Sequence, residues 1–294
     1  MVLTPLSMKA DDVMVVVVLY GDKTEPCISL KTLMAQPEAP KMAWLIWDNH
    51  PLPDMLPSLQ KWMSESAPLG GLRWHYEAHP DNPGLSSAYL AASEKAIGWG
   101  CTWMLLADQD THFPADWWDG YSQSVNEESI GLVVPQLFGA GLCISPAVHR
   151  MGFSRPNPRP ATGEIDLFRY MPVNSGMMIR VADYKRCGGH LPEVRLDFSD
   201  TAFIYRLRAA NIRALVVPVV CSHGLSGLEP GSYAVRLKRF GQYCRDARAW
   251  AKTEGPAVHL TILVSARAVR LSLRYLRFGF MGVLLRQFIL GKPQ

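Results

Sequence analysis

Trp103-Met104-Leu105-Leu106-Ala107-Asp108-Gln109-Asp110 is the stretch whose reading decides the fold. Five apolar residues in a row are enough for a strand and short for a helix. A run without polar interruption fits a strand buried on both faces, as in a parallel sheet. The run ends abruptly in two carboxylates, two residues apart. In open α/β sheets, ligands bind outside the carboxyl ends of the strands. The stretch therefore reads as a central strand delivering acidic side chains to a functional edge.

Outward from it, the same grammar repeats. Val13 to Leu19 is a β-branched run, and Met42 to Trp47 is another, ending in Asp48-Asn49. Leu72 to Tyr76, Ile130 to Val134, Ser175 to Arg180 and Ala214 to Val220 read as further strands. Leu85 to Ile97 carries apolar residues at 85, 88, 89, 92, 96 and 97, which is helical spacing. Thr201 to Ala210 reads as a second helix. Residues 152–166, rich in Pro, Gly and Arg, read as a surface loop. Strand–helix alternation over some 220 residues predicts one α/β domain with a mostly parallel sheet.

Composition narrows the class. The 294 residues are 48% hydrophobic and 19% charged, which suits a folded chain with a sizeable core. The net charge of +4 conceals a split. Residues 1–233 hold 18 Lys/Arg against 24 Asp/Glu, a net of −6, and residues 234–294 hold 12 against 2, a net of +10. An acidic body with a basic tail disfavours a uniformly basic nucleic-acid binder, and no nucleic acid is expected as partner. Six scattered Cys without a C-x-x-C pair indicate neither zinc site nor disulfide framework. The short run from Val13 follows Asp11-Asp12 and does not read as a signal peptide. No run of ~20 apolar residues is present, so no spanning helix is expected.

The polar residues admit two readings each. Asp108 and Asp110 can together hold Mg²⁺ or Mn²⁺ with phosphate oxygens and water, or they can form a solvated turn or helix cap. Asn174-Ser175-Gly176, Cys187-Gly188-Gly189-His190, Asp197-x-x-Asp200 and Ser222-His223-Gly224 follow in order. Gly188-Gly189 can be a helix C-cap, and Asp197 and Asp200 can cap the next helix. His223 can be an ordinary loop histidine. Trp117 and Trp118 can offer aromatic faces to a ligand or pack in the core.

Taken in order, Trp47-Asp48-Asn49, Asn82-x-Gly84, Asp108-Gln109-Asp110, Asn174-Ser175-Gly176, Gly188-Gly189, Asp197-x-x-Asp200 and His223 resemble a known pattern. Over residues 13–250 the chain resembles a family 2 glycosyltransferase of GT-A fold, most of all the bacterial rhamnosyltransferase branch. The resemblance implies a Rossmann-like, mostly parallel central sheet flanked by helices. It implies that Asp48 contacts the base or ribose of a nucleotide-sugar, that Asn82 lies near the nucleotide, and that Asp108 touches the ribose and the diphosphate. It implies Asp110 and His223 as metal ligands and Asp200 as general base, with Asp197 a second acidic position. The implied donor is dTDP-L-rhamnose, with a UDP-hexose as the alternative. The implied acceptor is a glycan or lipid-linked glycan of a bacterial surface polysaccharide. The pattern's final Glu falls at Ala202, which motivates a rival reading as a catalytically weakened nucleotide-sugar-binding subunit.

The tail has its own logic. Arg267, Arg270, Arg274 and Arg277 recur at spacings of 3, 4 and 3 and share a helical face, among Leu271, Leu273, Tyr275, Leu276, Phe278 and Phe280. Residues 257–294 thus read as a basic amphipathic helix meeting an anionic membrane surface, or as a helix packed on the body with its arginines solvated. The expected organisation is a catalytic domain over 1–233 and a helical extension over 234–294. The expected location is cytoplasmic, peripheral on the inner face of the bacterial plasma membrane.

Overall fold

The apolar runs form strands in the computed structural model, which describes residues 8–21, 26–51, 56–66, 72–124, 129–150, 153–224 and 232–292. The strands are β1 (Val13–Leu19), β2 (Ala43–Asp48), β3 (Arg73–Ala78), β4 (Trp103–Asp108), β5 (Thr111–His112), β6 (Ile130–Gly139), β7 (Leu142–Arg150), β8 (Phe153–Asn157), β9 (Gly163–Ile165), β10 (Tyr170–Met171), β11 (Met178–Arg180) and β12 (Arg213–His223). The helices are α1 (Ile28–Met34), α2 (Leu56–Ser66), α3 (Leu85–Gly98), α4 (Trp117–Ser124), α5 (Val181–Arg186), α6 (Ser199–Ala209), α7 (Tyr233–Thr253), α8 (Ala257–Tyr275) and α9 (Gly279–Val283), with a π-helical turn over Leu284–Ile289.

Every residue of β1 and β2 is buried, as is β4 up to Ala107. This is why their sequences show no alternation. β3-β2-β1-β4 is parallel throughout. Its register sets Leu19 beside Asp48 and Val18 beside Asp108. Both acidic motifs therefore leave the sheet at the same edge, one on either side of β1.

Beyond β4 the sheet is no longer parallel. β11 pairs antiparallel with both β4 and β6, and β7, β8 and β10 continue antiparallel. β12 runs parallel to β6 and antiparallel to β5 and β9. The α/β class holds, but the expected mostly parallel sheet is confined to its first four strands, with the β6–β12 pair the other parallel contact. The reading of 152–166 as loop is corrected too, because β8 and β9 lie there. Four of the five β8 residues are exposed, and Pro156 sits where an edge strand tolerates a missing N–H. Such a strand has no apolar face to betray it.

The chain divides into two compact units. One comprises Met1–Pro83, Ala88–Gly189 and Ile204–Leu225, and holds the sheet. The other comprises Gly84–Ser87, His190–Phe203 and Ser226–Gln294. Residues 84–87 and 190–203 are thereby grouped with residues 226–294. Within this second unit, Tyr233 packs edge-on to Tyr275 and Phe280, and Phe280 does the same with Phe240. These rings join α7, α8 and α9. All six cysteines are free thiols.

Trp44 is fully buried in β2, and its indole N–H donates to the Ala39 carbonyl at 3.0 Å. Trp44→Ala should cost about 3–5 kcal/mol in denaturant unfolding. Phe153→Ala on exposed β8 should change stability by only about 0.5 kcal/mol.

Candidate active site

Asp108 ends β4, Asp110 follows in the turn, and Thr111 begins β5. β5 is only two residues long, but it pairs with the end of β12, setting Thr111 beside His223. Three potential ligand atoms, one each from Asp108, Asp110 and His223, lie within 4.8 Å of one another, and all three residues are partly exposed. His223 Nδ1 is 3.4 Å from Asp110 Oδ1, and the Gly224 N–H donates to the Asp110 carbonyl at 3.1 Å. Two carboxylates and an imidazole, open to solvent on one side, suit a hard divalent cation such as Mg²⁺ or Mn²⁺. Three of the sequence-derived site residues are thus brought together.

A layer of hydroxyl groups lies under them. Ser175 Oγ accepts from the Asp108 N–H at 3.0 Å and shares a 2.7 Å hydrogen bond with Thr111 Oγ1. Thr111 Oγ1 is in turn 2.7 Å from His223 Nδ1. Ser29 Oγ contacts the carbonyls of Asp108 and Thr111 and accepts from the Thr111 N–H. Ser29, Thr111 and Ser175 are all buried, so each fixes an atom of the acidic turn from below. Ser175 comes from the Asn174-Ser175-Gly176 motif. Gly176 has φ +80°, and a Cβ there would meet Pro135 Cγ at 2.5 Å.

The middle residue of Asp108-Gln109-Asp110 has a distinct task. The Gln109 amide donates to the Tyr20 carbonyl at 2.8 Å and accepts from the Tyr20 N–H at 3.0 Å. Its side chain thereby does for the end of β1 what a neighbouring strand would do. Neither Asp nor Glu could make both bonds, because a carboxylate does not donate.

Asp48 is fully buried. Its Oδ1 accepts from the His50 N–H at 2.9 Å and its Oδ2 from the Tyr76 hydroxyl at 2.6 Å. A carboxylate with no exposed surface is not placed to touch a nucleotide directly. As found, it holds the turn after β2, beside Trp47, whose ring stacks on His79 at 3.6 Å. Asn82 sits three residues on, partly exposed, at φ +46°. Trp117 and Trp118 lie in the core with Phe113 and Tyr121, so neither offers a face to a sugar.

Asp197 and Asp200 belong to the second unit. The Arg239 guanidinium grips Asp197 through both carboxylate oxygens. Asp200 lies in the first turn of α6, where its Oδ1 accepts from the Thr201 N–H at 2.7 Å. Burial pushes its carboxyl above the ordinary value, and the nearby Asp197 pushes the same way against the hydrogen bonds from Thr201. Ala202, where the family pattern has Glu, is buried.

One residue of this unit escaped the sequence reading. Asp246 is a buried carboxylate on α7 that accepts from the backbone N–H groups of Arg195, Leu196 and Asp197 at 3.3, 3.0 and 2.8 Å, and from Gln242 Nε2 at 2.7 Å. It pins the loop carrying the acidic pair. The same loop leaves no room for a side chain at Gly84, where a Cβ would lie 2.6 Å from the Arg195 carbonyl oxygen and φ is +101°. A lone Asp in a charged helix gives no sequence signal of burial.

No protein-family model matches the chain, and no curated protein matches it in sequence. Solved structures do match in fold. The mannosyltransferase PcManGT from Pyrobaculum calidifontis, in complex with GDP-Man and Mn2+, is 14% identical with TM-score 0.56, over 96% of this chain and 88% of that one. S. aureus TarS 1-349 in complex with UDP-GlcNAc is 14% identical with TM-score 0.56, over 97% and 82%. GalNAc-T7 with UDP, GalNAc and Mn2+ is 13% identical with TM-score 0.53, over 99% of this chain and 59% of that one. The fold shared with these proteins is the GT-A fold.

Removing the Asp246 carboxylate would leave three backbone N–H groups without their acceptor. Asp246→Ala should therefore cost about 3 kcal/mol or more in urea unfolding, well above an exposed substitution. Gln109→Glu should cost about 1 kcal/mol in urea unfolding, because a carboxylate there cannot donate to the Tyr20 carbonyl.

Proposed function

We propose that the chain is an inverting, metal-dependent glycosyltransferase that moves a sugar from a nucleotide-sugar to a hydroxyl of a growing glycan. The observation that carries this reading is the gathering of Asp108, Asp110 and His223 at the carboxyl edge of a GT-A sheet. Neighbours of this fold have been solved with GDP-Man or UDP and with Mn2+. The motif order supports dTDP-L-rhamnose as donor, with a UDP-hexose as alternative.

Asp110 and His223 are assigned as ligands for Mg²⁺ or Mn²⁺, with Asp108 bridging toward the ribose and diphosphate. A divalent cation there would neutralise the charge that develops on the departing nucleoside diphosphate. Thr111, Ser175 and Ser29 hold the ligands in place beforehand, so little reorganisation is needed when the donor enters. Asn82 is assigned to the nucleotide side. Asp48 is assigned to shaping that side through Tyr76 and His50 rather than to direct contact.

Asp200 is assigned as general base. Its carboxylate takes the proton of the acceptor hydroxyl as the oxygen attacks the anomeric carbon. The bond from that carbon to the phosphate oxygen breaks on the opposite face, which inverts the centre. Such help is typically worth about 10²–10⁴-fold. No protein nucleophile is needed, and Asp197, already paired with Arg239, serves to hold the loop. The tail is assigned to an anionic membrane, on the inner face, where a lipid-linked acceptor would be found.

Asp110→Ala should abolish divalent-dependent binding of nucleoside diphosphates, read by thermal shift. Wild-type protein that binds no nucleoside diphosphate with either cation would end the transferase reading. Asp200→Asn should keep donor binding and lower transfer by about 10²-fold or more. A base must be ionised to act, and burial raises the Asp200 pKa above the usual 3.8. Transfer should therefore fall as pH drops, with its midpoint above that value.

A further inference from the structure

Three of the four arginines read as a stripe, Arg270, Arg274 and Arg277, are exposed, and the fourth is not. Arg267 is half-buried, and its guanidinium stacks over the Tyr243 ring at 4.1 Å. α8 turns Leu260, Val264, Ala268 and Ser272 inward, one per helical turn. Roughly opposite, it exposes Val258, Ile262, Val269 and Leu273, an apolar line about 22 Å long at 1.5 Å per residue. Arg270 and Arg274 are exposed between the two faces, alongside that line.

The line does not stop with the helix. Leu276, in the left-handed conformation that ends α8, is 87% exposed, and Phe278 is 86% exposed. Met281, Leu285, Ile289 and Leu290 continue the exposed apolar set. Contiguous exposed apolar surface of this kind, rather than single exposed side chains, marks an interaction site. No Asp or Glu occurs in residues 255–294, whereas six Lys/Arg do.

We infer that this apolar line and its corner at Leu276–Phe278 insert into the outer few ångströms of an anionic lipid monolayer, with Arg270 and Arg274 in the headgroup layer. The occupant has to be apolar and negatively charged over the same strip, which describes such a monolayer. A second copy of the chain fits poorly, because a two-fold interface would set these cations against themselves. The inference rests on the membrane assignment of the tail and not on the transferase reading.

The test uses the full chain and two sets of vesicles, pure phosphatidylcholine and phosphatidylcholine with one third phosphatidylglycerol. Sedimentation should show binding at least tenfold tighter to the anionic set. The triple variant Leu273→Ser, Leu276→Ser, Phe278→Ser should lose tenfold or more, and Arg270→Gln with Arg274→Gln should lose the preference for anionic lipid. An environment-sensitive dye on Phe278→Cys should shift to the blue on anionic vesicles. The substituted apolar residues are exposed, so the variants should keep the wild-type melting temperature and its shift with nucleoside diphosphate and Mn²⁺.

Wild-type protein that pellets with neither set would overturn both the inference and the membrane assignment. Binding that survives the triple variant, with no dye shift, would leave surface adsorption and overturn insertion alone. A wild-type dimer that the triple variant dissociates, without lipid binding, would give the face to a second copy and overturn the inference.

Discussion

The short antiparallel pairing of β5 with the end of β12, two residues on each strand, is what the rest of the site depends on. It carries His223 to Asp110 across more than a hundred residues of chain. Without it, the acidic turn after β4 would hold two carboxylates and nothing else. A two-residue strand has little stability of its own, so the junction is reinforced from beneath. The buried hydroxyls of Ser29, Thr111 and Ser175 bond to the turn, to each other and to the imidazole. Each of these groups would be costly to bury unpaired, and each is paired only when the turn is in place. The site and its support are therefore a single polar network, and it has little freedom to form in part.

The position of that network follows from β1. Its seven buried residues, five of them Val, admit no register that exposes one face. β2 and β4 align on either side, and Asp48 and Asp108 emerge at one edge. The two then diverge in use. Asp108 stays partly exposed, whereas Tyr76 and the His50 N–H close over Asp48. Equivalent places at the ends of the two strands flanking β1 thus yield one carboxylate open to solvent and one that organises a turn.

This divergence marks how far the sequence could be read. Strands buried on both faces were legible, because uninterrupted apolar runs have few other uses. So was the clustering of Asp108, Asp110 and His223, because residue type and motif order carried it. β8 and β9 were not legible, since an exposed edge strand containing Pro has no periodicity. Nor was the burial of Asp48, which depends on a tyrosine 28 residues away. Asp246 was illegible for the same reason: its partners are backbone groups about 50 residues distant. The tail was half legible. Its charge and amphipathicity were plain, but the pattern could not tell that Arg267 stacks on Tyr243 while Leu276 and Phe278 face water.

The second unit also constrains how the tail can be separated from the loop that bears Asp200. α7 supplies Asp246 to that loop and Arg239 to Asp197. The other side of α7 is covered by the tail. Leu260, Val264 and Phe280 are buried in this unit, and Gln287 accepts from Arg245, which also bonds Gln242, the partner of Asp246. Gly241 leaves the space that Gln287 fills, since a Cβ there would come within 2.8 Å of its side-chain oxygen. Removing residues 257–294 would uncover an apolar face of α7 and strip Arg245 of a partner. Loss of function after such a truncation would report a collapsed core as readily as a lost membrane contact. The exposed side chains of α8 and its corner can be changed with this packing left intact. A surface role and a structural role thus share one helix, and single side chains, not segments, keep them apart.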